Sequence, residues 1–224
     1  MSEGPNRDVV YGANAVAEAQ AGRRRVHRVW TADELPAAEL TRIAGSPDHQ
    51  GLVAEVDPYP YADPASLLGS PSALVVALDQ VQDPRNLGAI CRSVEAAGAA
   101  GVVIPARRSA QVTAVACKAS AGAVEHLAVA RVRNLADWLA DAKRADAWVY
   151  GARPDAPTRH DSVDWSGRAV LVLGGEGKGI RPRVASACDA LVAIPQAGRV
   201  GSLNVAAAAS VLLFEALRQR NPLR

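Results

Sequence analysis

Three segments of this 224-residue chain hold polar side chains and glycines in patterns that could do chemistry. In residues 78–99, LDQVQDPRNLGAICRSVEAAGA, a polar turn leads to Asn86 and then Arg92. In residues 171–184, LVLGGEGKGIRPRV, glycines surround Glu176. In residues 194–220, Ser202 and Asn204 precede a long apolar stretch. Amide, carboxylate, hydroxyl and guanidinium groups of this kind can bind and orient a polar substrate.

The glycine-rich segment predicts a ligand-binding loop. Glycine permits positive φ angles and lets a ligand approach the backbone closely. The segment is not a P-loop, because the spaced first glycine is absent and Lys178 is followed by Gly179 rather than by Ser or Thr. No G-x-G-x-x-G fingerprint opens the first helix of the pattern either. A nucleotide-binding dehydrogenase or kinase is therefore disfavoured.

Short apolar runs alternate with helix-like stretches from residue 73 onward. The predicted strands are 73–78, 101–104, 127–132, 147–150, 169–173 and 190–194. The predicted helices are 87–97, 112–119, 135–143, 182–187 and 203–218. This alternation predicts an α/β fold with a mostly parallel sheet covered by helices on both faces. Ligands of such sheets bind at the carboxyl ends of the strands, which is where all three segments lie.

Helix ends and faces follow from the same residues. Asn86 and Asn134 are predicted N-caps of the helices that follow them. Ser202 and Asn204 are either caps or site residues. The last helix is apolar all round between Val205 and Phe214, so we expect it to be buried.

Residues 1–70 differ in composition from the rest of the chain. They predict a small α/β module with a helix at 13–21 and strands at 26–30 and 52–56, ending in a Pro-rich linker. Residues 71–224 form the second predicted domain.

Composition narrows the class of protein. Hydrophobic residues make up 49% and charged residues 21%, and no apolar run reaches the roughly 20 residues of a membrane span. The first residues, MSEGPNRD, do not show the basic segment followed by an apolar segment that is typical of a secretion signal, so we expect a cytoplasmic protein. The three cysteines, Cys91, Cys117 and Cys188, have no metal-like spacing, which favours buried, reduced thiols and no metal.

Clusters of arginine raise the question of nucleic-acid binding. The net charge is only +2, but Arg23, Arg24, Arg25 and Arg28 lie close together, Arg107 adjoins Arg108, and Arg131 alternates with Arg133. Such clusters suit phosphate backbones, although a solvated surface explains any one of them equally well.

Taken together, the three segments resemble the SpoU (TrmH-type) RNA 2′-O-ribose methyltransferases of the SPOUT superfamily. The matching motifs are N-L-G-x-x-x-R, L-G-x-E-G-x-G and I-P…S-L-N-V, in that order and within residues 73–220. Residues 10–16, VYGANAV, and 49–51, HQG, resemble the RNA-binding module of the family's rRNA guanosine methyltransferases, here in an abbreviated form.

The resemblance implies a C-terminal deep trefoil knot, a homodimer, S-adenosylmethionine as methyl donor, and RNA rather than DNA as substrate. It assigns donor binding to the backbone of Gly174, Ile194 and Leu203. It assigns catalysis to Arg92, Asn86, Glu176, Ser202 and Asn204, with Glu176 expected to pair with or orient Arg92. Arg92 either helps to remove the 2′-hydroxyl proton or stabilises the forming alkoxide. Gly201 stands where relatives often carry a second serine.

The expected substrate is a guanosine of 23S rRNA, gripped in part by Arg23, Arg24, Arg25 and Arg28. Two alternatives stay open: a tRNA guanosine 2′-O-methyltransferase, and a non-catalytic RNA-binding or ribosome assembly factor.

Overall fold

Runs of Val, Leu, Ile and Ala form the strands of one large parallel sheet. The computed structural model describes residues 7–199 and 201–221, so most of the stretch read for a secretion signal lies outside it. The strands are β4 (Leu74–Asp79), β5 (Gly101–Pro105), β6 (Val129–Val132), β7 (Trp148–Ala152), β8 (Thr158–Arg159), β9 (Ala169–Gly174) and β10 (Ala190–Ala193). They lie in the order β6-β5-β4-β9-β7-β10-β8, and every recorded pairing is parallel. The predicted parallel α/β sheet is confirmed.

Helices cover both faces of this sheet. They are α3 (Pro84–Ala96), α4 (Ala114–Ala119), α5 (Leu135–Arg144), α6 (Pro182–Ala185) and α7 (Val205–Arg220). Val76 and Leu78 of β4 pack into one core cluster with residues of α3 and α7, whereas Val75 and Ala77 pack into another with residues of α5. Successive side chains of a strand point to opposite faces, so a strand between two helical layers must be apolar throughout.

The N-terminal residues form a smaller, antiparallel sheet in the order β1-β3-β2. Its elements are β1 (Asp8–Tyr11), α1 (Ala13–Ala21), β2 (Val26–Thr31), α2 (Ala37–Ala44) and β3 (Leu52–Val56). A small cluster around Tyr11, Leu40 and Val53 is separate from the main core, whereas Val10 and Val16 join the main core. The sequence patterns missed β1, α2 and the two-residue β8, because their short runs carry little periodicity.

The predicted linker is packed against the fold, which corrects that interpretation. Tyr59 is buried and its hydroxyl donates to the carbonyl oxygens of Val124 and Leu127. Leu67 and Leu68 are also buried, in the core cluster beneath α5. The proline-rich composition therefore indicates a segment without regular secondary structure, but this segment is packed against the fold and is not a free linker.

The first helix of the large sheet begins earlier than predicted. Asp83 is the N-cap of α3 and accepts from the backbone N–H of Arg85, while Pro84 occupies the first turn, where its fixed φ suits a helix. Asn86 is therefore inside the helix, and its predicted capping role is wrong. Asn134 does cap α5, accepting from Ala136 N–H, as predicted.

The last helix is buried on one side only. Ala209, Leu212 and Leu213 are fully buried, but Val211 is 40% and Phe214 49% exposed. The expectation of burial all round is wrong, because apolar residues on every face of α7 leave some facing outward. No helix in the described ranges is long and apolar enough to cross a membrane.

Cys91 and Cys117 lie in the core as predicted, whereas Cys188 is only half-buried. Burial raises the pKa of each of the three thiols to about 12. All three are therefore protonated at neutral pH.

Candidate active site

A cavity of about 600 Å³ lies at the carboxyl edge of the large sheet, within the size range of ligand pockets. The loops after β9 and β10 and the start of α7 enclose it. Six of the residues predicted for the site line this cavity: Gly174, Glu176, Ile194, Ser202, Leu203 and Asn204. The parallel sheet brings these distant segments together because the carboxyl ends of all its strands share one edge.

Three polar side chains form a closed hydrogen-bonded triangle at this cavity. Asn86 donates from Nδ2 to Oε1 of Glu176 at 2.7 Å. Asn204 donates from Nδ2 to the same oxygen and to Oδ1 of Asn86, both at 3.1 Å. The two amides hold one oxygen of the carboxylate and leave Oε2 without a hydrogen bond inside the described structure. The triangle thus presents a fixed hydrogen-bond acceptor.

Asn204 has two functions, and its own backbone position explains both. Its Oδ1 accepts from the backbone N–H groups of Ala206 and Ala207, at 2.8 and 3.3 Å, and so caps α7. Its Nδ2 is left free to reach Glu176 and Asn86. Asn204 is therefore the predicted cap and also lines the cavity, because the two ends of one amide bind different partners.

The end of β4 is joined to the glycine-rich loop by a buried carboxylate. Asp79 is fully buried and accepts from the backbone N–H and from Nε of Arg181, both at 2.8 Å. The sequence interpretation treated Asp79 as part of a polar turn and missed this contact. The signal was an acidic residue that continues a completely apolar strand, since a buried charge requires a partner.

The glycines of this loop serve tight packing within the chain. A Cβ on Gly174 would meet the carbonyl carbon of Gly179 at 2.1 Å, and one on Gly175 would meet the carbonyl oxygen of Gln80 at 2.4 Å. Gly177 and Gly179 take positive φ angles of 77° and 63°. The loop therefore folds back on itself against β4 and presents its backbone to the cavity.

Arg92 is separate from the triangle. It lies six residues after Asn86 in α3, which places it about 9 Å further along the helix axis. Its side chain is exposed and makes no ion pair within the described ranges. Within one chain Glu176 binds Asn86 and Asn204 through Oε1 and makes no ion pair with Arg92, so the expected pairing of Glu176 with Arg92 stays a prediction.

The four N-terminal arginines divide into two groups. Arg24 is buried and makes an ion pair with the buried Glu125, so its predicted contact with RNA is wrong. Arg23 donates to the carbonyl oxygens of Glu125 and Leu127. Arg25 and Arg28 are exposed, and the guanidinium of Arg28 lies 5.1 Å from the ring centroid of Trp30. Only Arg25 and Arg28 retain side chains without a hydrogen-bonding role in the described structure.

Comparison with known proteins identifies the family. A model of the SpoU rRNA Methylase family matches residues 73–214, which include the cavity and the triangle. Chains named uncharacterized tRNA/rRNA methyltransferase are 50% identical in Mycobacterium avium (strain 104) and 49% identical in Mycolicibacterium vanbaalenii, each over 84% of this chain. The chain covers 62% and 61% of the length of these two relatives.

Solved structures agree in fold. The SpoU methyltransferase AviRb from Streptomyces viridochromogenes, in complex with the cofactor AdoMet, has a TM-score of 0.79 at 29% identity, covering 96% of this chain and 90% of that one. An AdoMet-bound rRNA methyltransferase from Sinorhizobium meliloti has a TM-score of 0.80 at 27% identity, covering 95% of this chain and 87% of that one. The chain belongs to the SpoU rRNA methylase family.

Proposed function

We propose that the chain transfers a methyl group from S-adenosylmethionine to a ribose 2′-hydroxyl of RNA. The observation that carries the proposal is the triangle of Asn86, Glu176 and Asn204 at a cavity of about 600 Å³. Family membership and two AdoMet-bound structural neighbours support it. Since the chain spans about three fifths of the length of its curated relatives, the activity of the whole protein is part of the proposal.

The lining of the cavity fits this donor. S-adenosylmethionine supplies a methyl group on a positively charged sulfur when it is bound. Leu173, Val192 and Ile194 give the cavity an apolar wall, and Leu203 is 44% exposed beside them. No atom lies within 4 Å of the position that a Cβ on Gly177 or Gly201 would take. Backbone N–H and C=O groups of these loops would form hydrogen bonds with the polar edges of the donor, and the apolar wall would pack against its adenine.

Glu176 and Ser202 would hold the acceptor ribose. The free Oε2 of Glu176 can accept a hydrogen bond from a hydroxyl, and the exposed Ser202 hydroxyl can donate or accept one. Asn86 and Asn204 would act as positioning residues, because they fix Glu176 through its other oxygen. Holding the hydroxyl in line with the methyl group is the main task of such a site.

Arg92 would act on the RNA at the acceptor oxygen, either in proton removal or by stabilising the forming alkoxide. An arginine keeps its charge at all ordinary pH values, which favours the second role. Arg85 and Arg92 are seven residues apart and share the outer face of α3. This placement suits contact with an RNA chain that passes over α3, or with the site of a second subunit.

A homodimer belongs to the same proposal. Val211 and Phe214 are exposed on α7 and, with Leu203 and Trp148, are the large exposed apolar residues of the described structure. The helix lies beside α3, to which it is tied by a 2.8 Å hydrogen bond between Ser93 and Ser210. A second copy packed on α7 would therefore lie close to Arg92. The trefoil knot is also proposed, and the insertion of β9 between β4 and β7 supports it.

The proposed target is a guanosine of 23S rRNA, with tRNA as the second candidate. Relatives at 47–50% identity carry names that include both RNA classes. We propose incubation of the protein and labelled donor with 23S rRNA and with total tRNA, followed by mass spectrometry of the nucleosides. A 2′-O-methylated nucleoside from one RNA class is expected, and methylation of a base instead would contradict the proposal.

Arg92→Ala tests the site in the same assay. We expect methyl transfer to be abolished and binding of S-adenosylhomocysteine to be unchanged, because Arg92 lies outside the cavity lining. Arg144→Ala is the control, since Arg144 is equally a helical arginine but pairs with Asp141 on α5. Transfer at the wild-type rate by Arg92→Ala would exclude Arg92 from catalysis.

A further inference from the structure

Two arginine pairs that are distant in the sequence meet at one edge of the large sheet. Arg107 and Arg108 follow β5, and Arg131 and Arg133 lie at the end of β6, its parallel neighbour. The backbone N–H of Ala106 donates to the carbonyl of Val132 at 2.8 Å, which brings the residues that follow each strand side by side. We call Arg107, Arg108, Arg131 and Arg133 the arginine edge.

The arginine edge adjoins the candidate active site. The backbone N–H of Ala110 and the hydroxyl of Ser109 donate to the carbonyl of Val81, at 2.8 and 3.1 Å. Val81 belongs to the loop between β4 and α3, the helix that carries Asn86. Because neighbouring strands are about 5 Å apart, the ends of β5 and β6 lie about 5 and 10 Å to one side of β4. Arg85 is exposed in the first turn of α3 and immediately precedes Asn86 of the triangle in the chain.

The charges of the arginine edge are not neutralised by the described part of the chain. All four side chains are exposed, and none has a carboxylate within 4 Å. Other exposed arginines, such as Arg153 and Arg159, do have a carboxylate partner, in Asp155 and Asp161. Three carboxylates line a groove beside Arg131 and Arg133, but each has another partner. Asp137 binds Arg183, Asp141 binds Arg144, and Asp63 accepts from the backbone N–H of Ala65.

The fold also holds two of these arginines in defined places. The guanidinium carbon of Arg131 lies 3.9 Å from the ring centroid of Tyr61, whose hydroxyl accepts from the backbone N–H of Val112. Arg108 has a φ of 58°, a left-handed conformation that costs free energy for a residue with a side chain. Glycine would adopt this turn without strain, so the arginine is present against local preference.

We propose that the arginine edge, extended by Arg85, binds the phosphates of the RNA chain next to the acceptor ribose. This inference rests on the proposed function for the identity of the polymer. Arginines without internal partners suit phosphate oxygens, which they can bind with two parallel hydrogen bonds. The large exposed apolar residues lie elsewhere, at Trp148, Leu203, Val211 and Phe214, which argues against a membrane as the partner. Residues 71–224 would thus contribute their own RNA-binding surface, in addition to Arg25 and Arg28 of the N-terminal module.

The test compares two double variants of the full chain with equal loss of charge. Arg107→Ala/Arg133→Ala removes half of the arginine edge. Arg42→Ala/Arg159→Ala removes two exposed arginines that pair with Glu39 and Asp161, neither of which lines the groove beside Arg131 and Arg133. The probe is a fluorescent 20-nucleotide single-stranded RNA of mixed sequence, titrated at several KCl concentrations. S-adenosylhomocysteine binding is measured on each protein by calorimetry.

We expect the edge variant to bind the RNA about 10- to 30-fold more weakly in 0.1 M KCl, and its salt dependence to fall by about 1.4 in the log–log slope. The control variant should stay within about twofold of wild type, and both should bind S-adenosylhomocysteine normally. Equal RNA affinities of the two variants would overturn the proposal. Edge-dependent binding to anionic lipid vesicles without RNA binding would also overturn it.

Arg108→Gly separates binding from folding. The unfolding temperature should be unchanged or higher, because the left-handed turn is relieved, while RNA affinity should fall several-fold. If Arg108→Gly bound RNA with wild-type affinity, Arg108 would not be part of the RNA-binding surface. A wild-type protein that neither binds S-adenosylhomocysteine nor transfers a methyl group would refute the proposed function. The difference in RNA affinity between the variants would be unaffected, so the two failures are distinguishable.

Discussion

Asp79 and Arg181 connect the end of β4 to the glycine-rich loop across 102 residues of sequence. The carboxylate is fully buried, whereas the arginine side chain is 43% exposed. This contact ties the loop of four glycines, which lines the cavity, to the end of β4. The ion pair closes the loop at its far end, while β9 holds its beginning.

Arg181→Ala should lower the free energy of unfolding by about 1–3 kcal/mol, because it removes hydrogen bonds from a buried carboxylate. It should also weaken S-adenosylhomocysteine binding, since the loop loses its closure. Arg183→Ala is the matched control: Arg183 is 72% exposed, pairs with the exposed Asp137, and should matter by less than about 1 kcal/mol. Urea unfolding and calorimetry measure both effects. Equal stabilities of the two variants would show that the side chain of Arg181 adds nothing to the backbone N–H of the same residue as a partner for Asp79.

Asn204 can be tested so that its cap and its site function separate. Asn204→Asp keeps an oxygen that caps α7, so the free energy of unfolding should change by less than about 1 kcal/mol. It replaces the amide donor with a second carboxylate beside Glu176, so methyl transfer should be lost. Asn204→Ala should lose both, at about 1 kcal/mol for the cap. An active Asn204→Asp enzyme would contradict the role given to the triangle.

Gly175→Ala should disturb the site through packing alone. Its Cβ would come within 2.4 Å of the carbonyl oxygen of Gln80, which is backbone and cannot move aside. We expect a loss of about 1–3 kcal/mol in unfolding free energy and weaker donor binding. Gly167→Ala, where nothing lies within 4 Å of the added carbon, should be neutral in both measurements. Thermal unfolding with and without S-adenosylhomocysteine gives the comparison.

Arg24→Ala should destabilise the whole chain. It leaves the buried Glu125 without its cation, a change that typically costs about 3–5 kcal/mol. The neighbouring Arg25 is exposed, so Arg25→Ala should leave stability within about 0.5 kcal/mol of wild type. Denaturant titration of the two variants decides the matter. If Arg24→Ala were as stable as Arg25→Ala, Arg24 would again be a candidate for RNA contact.

The proposed dimer predicts an effect of charge on α7. Phe214→Glu places a carboxylate in the middle of the exposed apolar face, and sedimentation should then show a monomer where wild type is a dimer. Trp148→Glu is the control, because Trp148 is 60% exposed at the start of β7 and is not part of α7. A dimer that survives Phe214→Glu and dissociates in Trp148→Glu would place the interface around Trp148 and not on α7.

Much of the large sheet could be predicted from local pattern. A strand buried on both faces, such as β4 or β9, must be apolar at every position, and that run is visible without knowledge of its neighbours. The first residues of the helices were predicted less reliably than the strands. Asn86 and Asp83 are both good caps by type, and only the placement of Pro84 in the first turn decided for Asp83.

The site divides in the same way. Six of the residues that line the cavity could be named from three motifs, because a parallel sheet brings all its strand ends to one edge, whereas Ala152, Arg153 and Pro154 after β7 were missed. The partners of those residues could not. Within the chain Glu176 binds the amides of Asn86 and Asn204, and Asp79 binds Arg181. Sequence shows that a charge exists, but its partner depends on which side chains the fold brings within about 3 Å.

The sequence by itself therefore determined the α/β sheet, the family and six residues of the cavity lining, since these depend on periodicity and on motifs within single segments. The tertiary structure alone decided which arginines are structural and which are available. Arg24 and Arg25 are adjacent and chemically identical, yet one is buried against Glu125 and the other is exposed. Arg107 and Arg133 are distant in the chain, yet they adjoin because β5 and β6 pair in parallel. Burial and proximity are properties of the packed chain, and no local pattern encodes them.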